Sequence, residues 1–456
     1  MKKNMYLFFS LALFMFSCGK DDSPKVTPEE ENEAPVITEQ SFEFYETFTT
    51  KNIGAVTATD PDGDSLTFSI ETNDNDLFVI TSEGVLGLSG EKVLDFETKT
   101  EHTITISVSD GTNEVSAKVT VIVLNVIDTL AENGDSFVTT WRTTEDGESI
   151  TIGLPVGLAY DFMIDWGDGT IENISKDEDI EHSYATAGDH VVAIENFPGI
   201  EMIGLSSAPK LISLDQWGNS KWEHLIQAFA GCENMVYKAT DVPDLSQVSS
   251  LFAMFKNAKQ FNGDIGNWDM DNVTSINSMF DGASSFNGNI GQWNTANVTN
   301  MASVFYGASS FNQDIGMWVV SSVEITASMF EGASSFNQDI GTWNVSSVEQ
   351  MNGMFFAASS FNGDIGQWNT EKVANMSGMF TGASSFDQDL GGWNIGSITN
   401  MENMLDNSGM SITSINNTVI GWSNFVENNE GPYDIICGME GLEVCTEISA
   451  GLIALC

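Results

Sequence analysis

Hydrophobic positions in the middle of this chain form one short phrase that returns at a fixed interval. In SSFNQDIGTWNVSSVEQMNGMF, residues 334–355, Phe336, Ile340 and Trp343 are separated by Asn337, Asp339 and Gly341, which predicts a turn and a short strand. Val348, Met351, Met354, Phe355 and Ala358 follow at steps of three and four, the stripe of a short helix. The landmark phenylalanine stands at 261, 286, 311, 336, 361 and 386, a step of 25 residues without insertion. Trp268, Trp293, Trp318, Trp343, Trp368 and Trp393 keep the same step, and two degenerate units precede them around Phe229 and Phe255. One unit cannot enclose its own apolar face, but stacked copies share a continuous core. The pattern therefore predicts an α/β solenoid over residues 204–423. Its last unit is altered at Leu405 and at 407–409 as a cap would be, and residues 424–456 complete that cap.

Ahead of the repeats the rhythm is twofold. AVTATD, SLTFSI, HTITISVSD and SAKVTVIVLNV alternate apolar and polar residues, and about seven strands in residues 34–130 predict a β-sandwich. Residues 133–203 read as a smaller β unit, with Trp166-Gly167-Asp168-Gly169 as a tight turn between strands. Residues 18–33 are polar, acidic and aperiodic, a flexible tether. Residues 1–17 read as a signal peptide: Lys2 and Lys3, an apolar run too short to span a bilayer, then Cys18.

Charge narrows the partners. Acidic residues outnumber basic ones 65 to 16, a formal charge of −49, which excludes a nucleic-acid or anionic-lipid surface and favours cations. Hydrophobic content of 41% is too high for a disordered acidic chain. Cys232 fits a buried thiol, and in an exported chain Cys437 with Cys445 is the first candidate bridge, with Cys456 the remaining thiol.

Calcium requires about six to eight hard oxygen ligands at ~2.4 Å, several of them charged. Asp-x-Asp at Asp60 and Asp62 places two carboxylates on one side of an extended segment, and Asp95 with Glu97 repeats the device. The acids at 264, 314, 339, 364 and 389 read as solvated turns whose Asp accepts backbone N–H bonds, and the Asn row at 262, 287, 312, 337 and 362 as a buried hydrogen-bonding ladder. The Trp column reads as core first and as a sugar-stacking platform second. His102, His182, His190 and His224 form no HExxH pattern, and neither a Gly-x-Ser-x-Gly elbow nor a phosphate loop occurs, so the chain reads as no enzyme.

Four resemblances bear on these readings. Asn32-Glu33-Ala34-Pro35, Glu46, Asp60-Pro61-Asp62-Gly63-Asp64, Leu94-Asp95-Phe96-Glu97, Asp110-Gly111 and Asn125-Val126-Ile127-Asp128 together resemble a cadherin repeat. The resemblance implies Ca2+ held by Glu46, Asp95 and Glu97 at one pole. It implies a second site at Asp60 and Asp62, with Asn32 and Glu33 as possible donors; Asp64 and Asp128 complete the candidate set. The family's Asp-x-Asn-Asp-Asn exit is incomplete here, which implies weak sites of about 10⁻⁴–10⁻³ M. The WGDG turn with His182, Tyr184 and Gly188 resembles a PKD-like, immunoglobulin-type domain. The repeated phrase resembles that of BspA-like leucine-rich-repeat surface proteins, which are adhesins or have no assigned role. Met15-Phe16-Ser17-Cys18 resembles a bacterial lipobox, implying a lipid on Cys18 and anchoring at the outer membrane of a Gram-negative cell. The expected protein is a calcium-binding surface lipoprotein presenting its repeats to an extracellular protein or glycan. The alternatives are a polysaccharide-binding accessory protein and a hydrolase with an unrecognised site.

Overall fold

The computed structural model describes residues 31–46, 51–96, 98–124, 126, 129–429, 431–432 and 435–442. Cys18, Glu97, Asn125, Asp128, Cys445 and Cys456 lie outside the described residues. The chain divides into two compact units, Met1–Val126 and Ile127–Cys456.

The first unit is all-β. Its strands are β1 (Gln40–Tyr45), β2 (Asn52–Ala55), β3 (Thr67–Thr72), β4 (Phe78–Ile80), β5 (Val85–Leu88), β6 (Glu101–Ser109) and β7 (Glu114–Leu124). They form a four-stranded sheet in the order β1-β7-β6-β3 and a three-stranded sheet β2-β5-β4. Alternation explains the layers: His102, Ile104, Ile106 and Val108 of β6 face inward with Val119, Val121 and Val123 of β7. Phe78, Leu86 and Leu88 from the smaller sheet join the same core, so the sequence-predicted sandwich is the observed arrangement.

The second unit begins with β8 (Phe137–Thr143), β9 (Ser149–Ile152), β10 (Phe162–Asp165), β11 (Ile171–Ile174), β12 (Ile180–Ser183) and β13 (Gly188–Glu195). The boundary expected at residue 203 is not a structural one. Strand β14 (Leu211–Gln216) pairs antiparallel with β8, and β15 (Val236–Tyr237) pairs parallel with β14, giving one six-stranded sheet β11-β10-β13-β8-β14-β15. A single hydrophobic cluster runs from Phe137 to Cys437. The smaller β unit is thus the first layer of the repeat stack rather than a separate domain.

Each later repeat makes one coil, and the helix expected in it does not form. Ile276, Ser278, Phe280 and Gly282 donate their N–H groups to carbonyls 24 residues on, at Asn300, Ala302, Val304 and Tyr306. The N–H groups between them close turns: Met279 to Ile276, Asp281 to Ser278, Ala283 to Phe280, all near 3.0 Å. This ribbon of overlapping β-turns needs left-handed backbone at every fourth residue, found at 278 and 282, 303 and 307, 328 and 332, 353 and 357, 378 and 382. A helix tolerates no such alternation. The expected strand across Phe336–Trp343 is also absent; parallel pairing is confined to single-residue bridges Ser250↔Ser275↔Asn300↔Ile325↔Gln350↔Asn375↔Asn400.

Between coils the aromatic side chains stack on their own copies. Ring centroids lie 5.9 Å apart for Phe286–Phe311, 6.0 Å for Phe311–Phe336 and 6.3 Å for Trp293–Trp318. The single α-helix among the described residues, α1 (Ile412–Asn429), closes the stack. Thr418 Oγ1 accepts the Leu390 N–H at 2.9 Å, and Trp422 Nε1 donates to the Leu390 carbonyl at 3.0 Å. Among the described residues no helix is long and apolar enough to cross a membrane.

Candidate functional site

One end of the first unit gathers the Asp-x-Asp turn and the segment that leads into it. Asp60 Oδ1 accepts the N–H groups of Asp62 at 2.9 Å and Asp64 at 3.0 Å, folding the loop around its own carboxylate. Asp62 Oδ2 accepts the Glu33 N–H at 2.7 Å. Asn32 Nδ2 donates to Asp110 Oδ2 at 2.9 Å, and Asn113 Nδ2 returns a bond to the Asn32 carbonyl at 3.2 Å. Backbone N–H groups of Asn113 and Thr112, with both asparagine amides, hold the Asp110 carboxyl below the usual range. Asp110 was legible only as part of a motif, and its place beside Asn32 comes from the turn joining β6 and β7.

Asp60 Oδ2 is buried and has no hydrogen-bond partner within the protein. A buried carboxylate oxygen left unmatched costs roughly 1–3 kcal/mol or more, and a cation is the partner that suits it. The donor set at this end, all oxygen and mostly anionic, fits a hard divalent ion.

Glu46 and Asp95 occupy different surroundings. Glu46 is buried, with Oε2 accepting the Phe96 N–H at 2.7 Å and Oε1 accepting the Val126 N–H at 2.8 Å. Asp95 accepts from the Thr98 N–H at 2.9 Å and the Thr98 hydroxyl at 2.7 Å. Glu46 therefore ties the end of β1 to two other segments, a structural task its sequence position does not disclose. Among the described residues no group of three or more His, Cys, Asp or Glu side chains is disposed to hold a metal ion.

In the second unit the six repeat tryptophans are interior, none more than 4% exposed. Trp293, Trp318, Trp343, Trp368 and Trp393 each donate their indole N–H to the Ile carbonyl 28 residues earlier. With faces stacked on neighbouring coils they offer a sugar no surface, which corrects the stacking-platform reading. The Asp row behaves as turn chemistry: Asp314, Asp339, Asp364 and Asp389 each accept the N–H of the glycine two residues on. Asn262, Asn287, Asn312 and Asn337 each accept the N–H of the residue 25 positions later. That ladder exists as expected but lies at the surface rather than buried. Cys232 is buried in the core, which pushes its thiol pKa up.

The WGDG turn joins β10 and β11. Trp166 stacks on His182 with centroids 4.8 Å apart, and His182 Nε2 contacts Asp168 Oδ2 at 2.8 Å. Burial raises the Asp168 carboxyl, but hydrogen bonds from His182 and Thr170 outweigh it and leave the group below the usual range. Gly167 sits at φ +77° with Val191 O where a Cβ would stand, so only glycine fits.

A groove of about 810 Å³ outside β8 and β14 escaped the sequence reading. Its cations are all matched: Arg142 grips Asp189 through two bonds of 2.6 and 2.7 Å, Lys210 meets Glu148 at 2.8 Å, and Lys238 meets Asp215 at 3.2 Å. Pairing across strands is invisible in a linear charge count.

The family model described as "Mycoplasma protein of unknown function, DUF285" matches residues 223–334 and 316–422. These overlapping matches span residues 223–422, less than half of the 456-residue chain. No curated protein matches the chain. Human Protocadherin-24 EC1-2 is similar at 22% identity over 33% of this chain and 62% of that one, with a TM-score of 0.20. Mouse clustered PcdhgC3 EC1-3 is similar at 25% identity over 20% and 34%, with a TM-score of 0.17. Protocadherin gammaB7 EC3-6 is similar at 15% identity over 34% and 47%, with a TM-score of 0.22. The match spans less than two thirds of each of these chains, and at such TM-scores the fold is read from the strand pairing itself.

Proposed function

We propose that this chain is a non-enzymatic surface lipoprotein of a Gram-negative cell. In this reading it is anchored through Cys18 and binds calcium at its first unit. It holds a BspA-like, leucine-rich-repeat-like solenoid toward an extracellular protein or glycan. The observation that carries the reading is the coil stack: parallel bridges in 25-residue register over a continuous core make one long, repetitive, rigid surface. Such a surface suits recognition rather than chemistry, because each coil supplies the same groups again.

Asp60, Asp62 and Asp64 with Asn32 would draw together around the calcium ion, and the unmatched Asp60 Oδ2 supports that choice; Asp110, both of whose oxygens are already bonded, would keep Asn32 beside them. The ion supplies charge neutralisation there, cross-linking the leading segment to the loop at residues 60–64. Glu46, with both oxygens already bonded, acts in this reading as a structural clamp.

Cells displaying the full chain should adhere to a protein- or glycan-coated surface in millimolar calcium and detach in EDTA, and Cys18→Ser should release the chain into the medium. Adhesion and fractionation indifferent to both changes would overturn the reading. For the ion itself, differential calorimetry of the full chain should show one transition several degrees higher in calcium than in EDTA, with the shift lost in Asp60→Asn. A shift that survives Asp60→Asn assigns the ion elsewhere.

A further inference from the structure

Equivalent positions of the repeats vary unequally. The core positions keep Phe, Ile or Leu, and Trp in every unit, yet one position of the turn ribbon reads Asp281, Tyr306, Glu331, Phe356, Thr381 and Asp406. Tyr306 is 41% exposed and Phe356 39% exposed. With Phe252, they are the exposed aromatic side chains among the described repeat residues, and all three stand on this ribbon. A ring left about 40% exposed forgoes part of the roughly 1.5–3 kcal/mol that full burial would give.

The local packing opens this stretch. A Cβ on Gly353 would stand 3.3 Å from Glu331 Oε2, and one on Gly378 would stand 3.7 Å from Phe356 Cδ2. Glu331 and Phe356 thus lean the same way, each over the glycine of the following coil, where other coils carry Ser278, Ser303 and Ser328. The adjacent rings on this ribbon stack 5.5 Å apart, Phe305 on Phe330 and Phe330 on Phe355. Tyr306 and Phe356, the next residues along and two coils apart, therefore stand roughly 11 Å from each other with Glu331 on the coil between them. A cation paired with Glu331 lies roughly 5–6 Å from each ring, at the ~6 Å reach of cation–π attraction.

We propose that Tyr306, Glu331 and Phe356 form the docking point for a basic segment of a partner protein, an Arg or Lys side chain sitting on Glu331 between the two rings. The inference rests on the reading that the repeats present a recognition surface, and names the face and the partner's chemistry. Charge selects the occupant: a chain of net charge −49 draws cationic partners, and a neutral sugar gains little from a carboxylate between rings. Arginine fits best, since its planar guanidinium stacks on rings while bonding a carboxylate.

The test uses the full chain and a fluorescent nonapeptide carrying three arginines spaced by alanine, with a glutamate-substituted peptide as control, at physiological salt. Tyr306→Ala/Phe356→Ala should weaken the arginine peptide at least tenfold without altering net charge, and Glu331→Gln about fivefold. Tyr306→Phe should keep most of the affinity, separating ring loss from misfolding. Asp339→Ala/Asp364→Ala, which removes more charge from a different row, should cost less than twofold. Equal losses in the two double variants would reduce the binding to diffuse electrostatics and overturn the proposal. So would capture of a glycan or of a second copy of the chain, in place of the peptide, through the same rings. Unchanged adhesion by cells displaying the ring variant would remove this docking point and leave the adhesion reading standing.

Discussion

A carboxylate acquires its meaning from the N–H groups and cations that fold around it. Glu148 Oε1 meets Lys210 Nζ at 2.8 Å, and its other oxygen accepts the Thr144 N–H at 2.6 Å. The Lys210 bond first, then the backbone bonds, bring the carboxyl down to about 2 from an ordinary 4.5. A depressed folded-state pKa contributes stability that is full above about 4.5 and fades as pH falls toward 2. Glu148→Gln should therefore melt below the wild type at pH 7, and the gap between their melting temperatures should close between pH 4.5 and pH 2. A gap independent of pH would assign the effect to packing. Residue types were legible at this scale: spacing singled out Asp60 with Asp62 and Asp95 with Glu97, and the resemblance to a cadherin repeat added Glu46, Asp64 and Asp128. What each oxygen does was not: Glu46 and Asp60 both read as ligands. Only the fold shows one fully bonded by Phe96 and Val126 and the other with an unmatched oxygen.

Spacing misleads about elements when two backbones share it. Val348, Met351, Met354, Phe355 and Ala358 stand at steps of three and four, which suits a helix. Overlapping β-turns also bring every third residue to one side, so the hydrophobic stripe cannot separate the two. The discriminating signal was the small residue at every fourth place, Gly353 and Ala357 or Gly378 and Gly382, which marks left-handed backbone. That signal is diluted where serine fills the position, as at Ser328 with φ +54°. A non-glycine residue there costs roughly 1–2 kcal/mol, offset in part by the 0.5–1 kcal/mol of chain entropy that glycine loses on folding. Ser328→Gly should thus stabilise by up to about 1 kcal/mol. Gly332→Val, at φ +70°, should destabilise by about 2 kcal/mol in urea titrations. A helical ribbon would reverse both signs.

The molecule as a whole is held by register. The sandwich and the repeat stack were legible because strand alternation and a 25-residue period are long-range patterns that survive local error. The join at residue 203 was not, because β14, which pairs with β8, and β15, which pairs with β14, lie in degenerate units whose pairing has no periodic signature. The far end follows the same logic. Residues 435–442 supply one more rung, with the Leu405 N–H on the Gly438 carbonyl at 3.0 Å and the Asn407 N–H on the Glu440 carbonyl at 2.7 Å. Helix α1 buries Ile415, Val419, Trp422 and Val426, each contributing about 1.5–3 kcal/mol. A chain ending at residue 410 loses both coverings, leaves a row of unpaired backbone groups, and should melt at least 10 °C lower or aggregate. Removing residues 336–360 instead brings Ile325 opposite Asn375 in the same frame as the natural bridges. That chain should fold with a cooperative transition of smaller enthalpy. Removing residues 336–347 sets every later Phe, Met and Trp against the wrong neighbour. If calorimetry found this half-coil deletion as cooperative as the whole-coil one, stacking in register would not be what holds the second unit together.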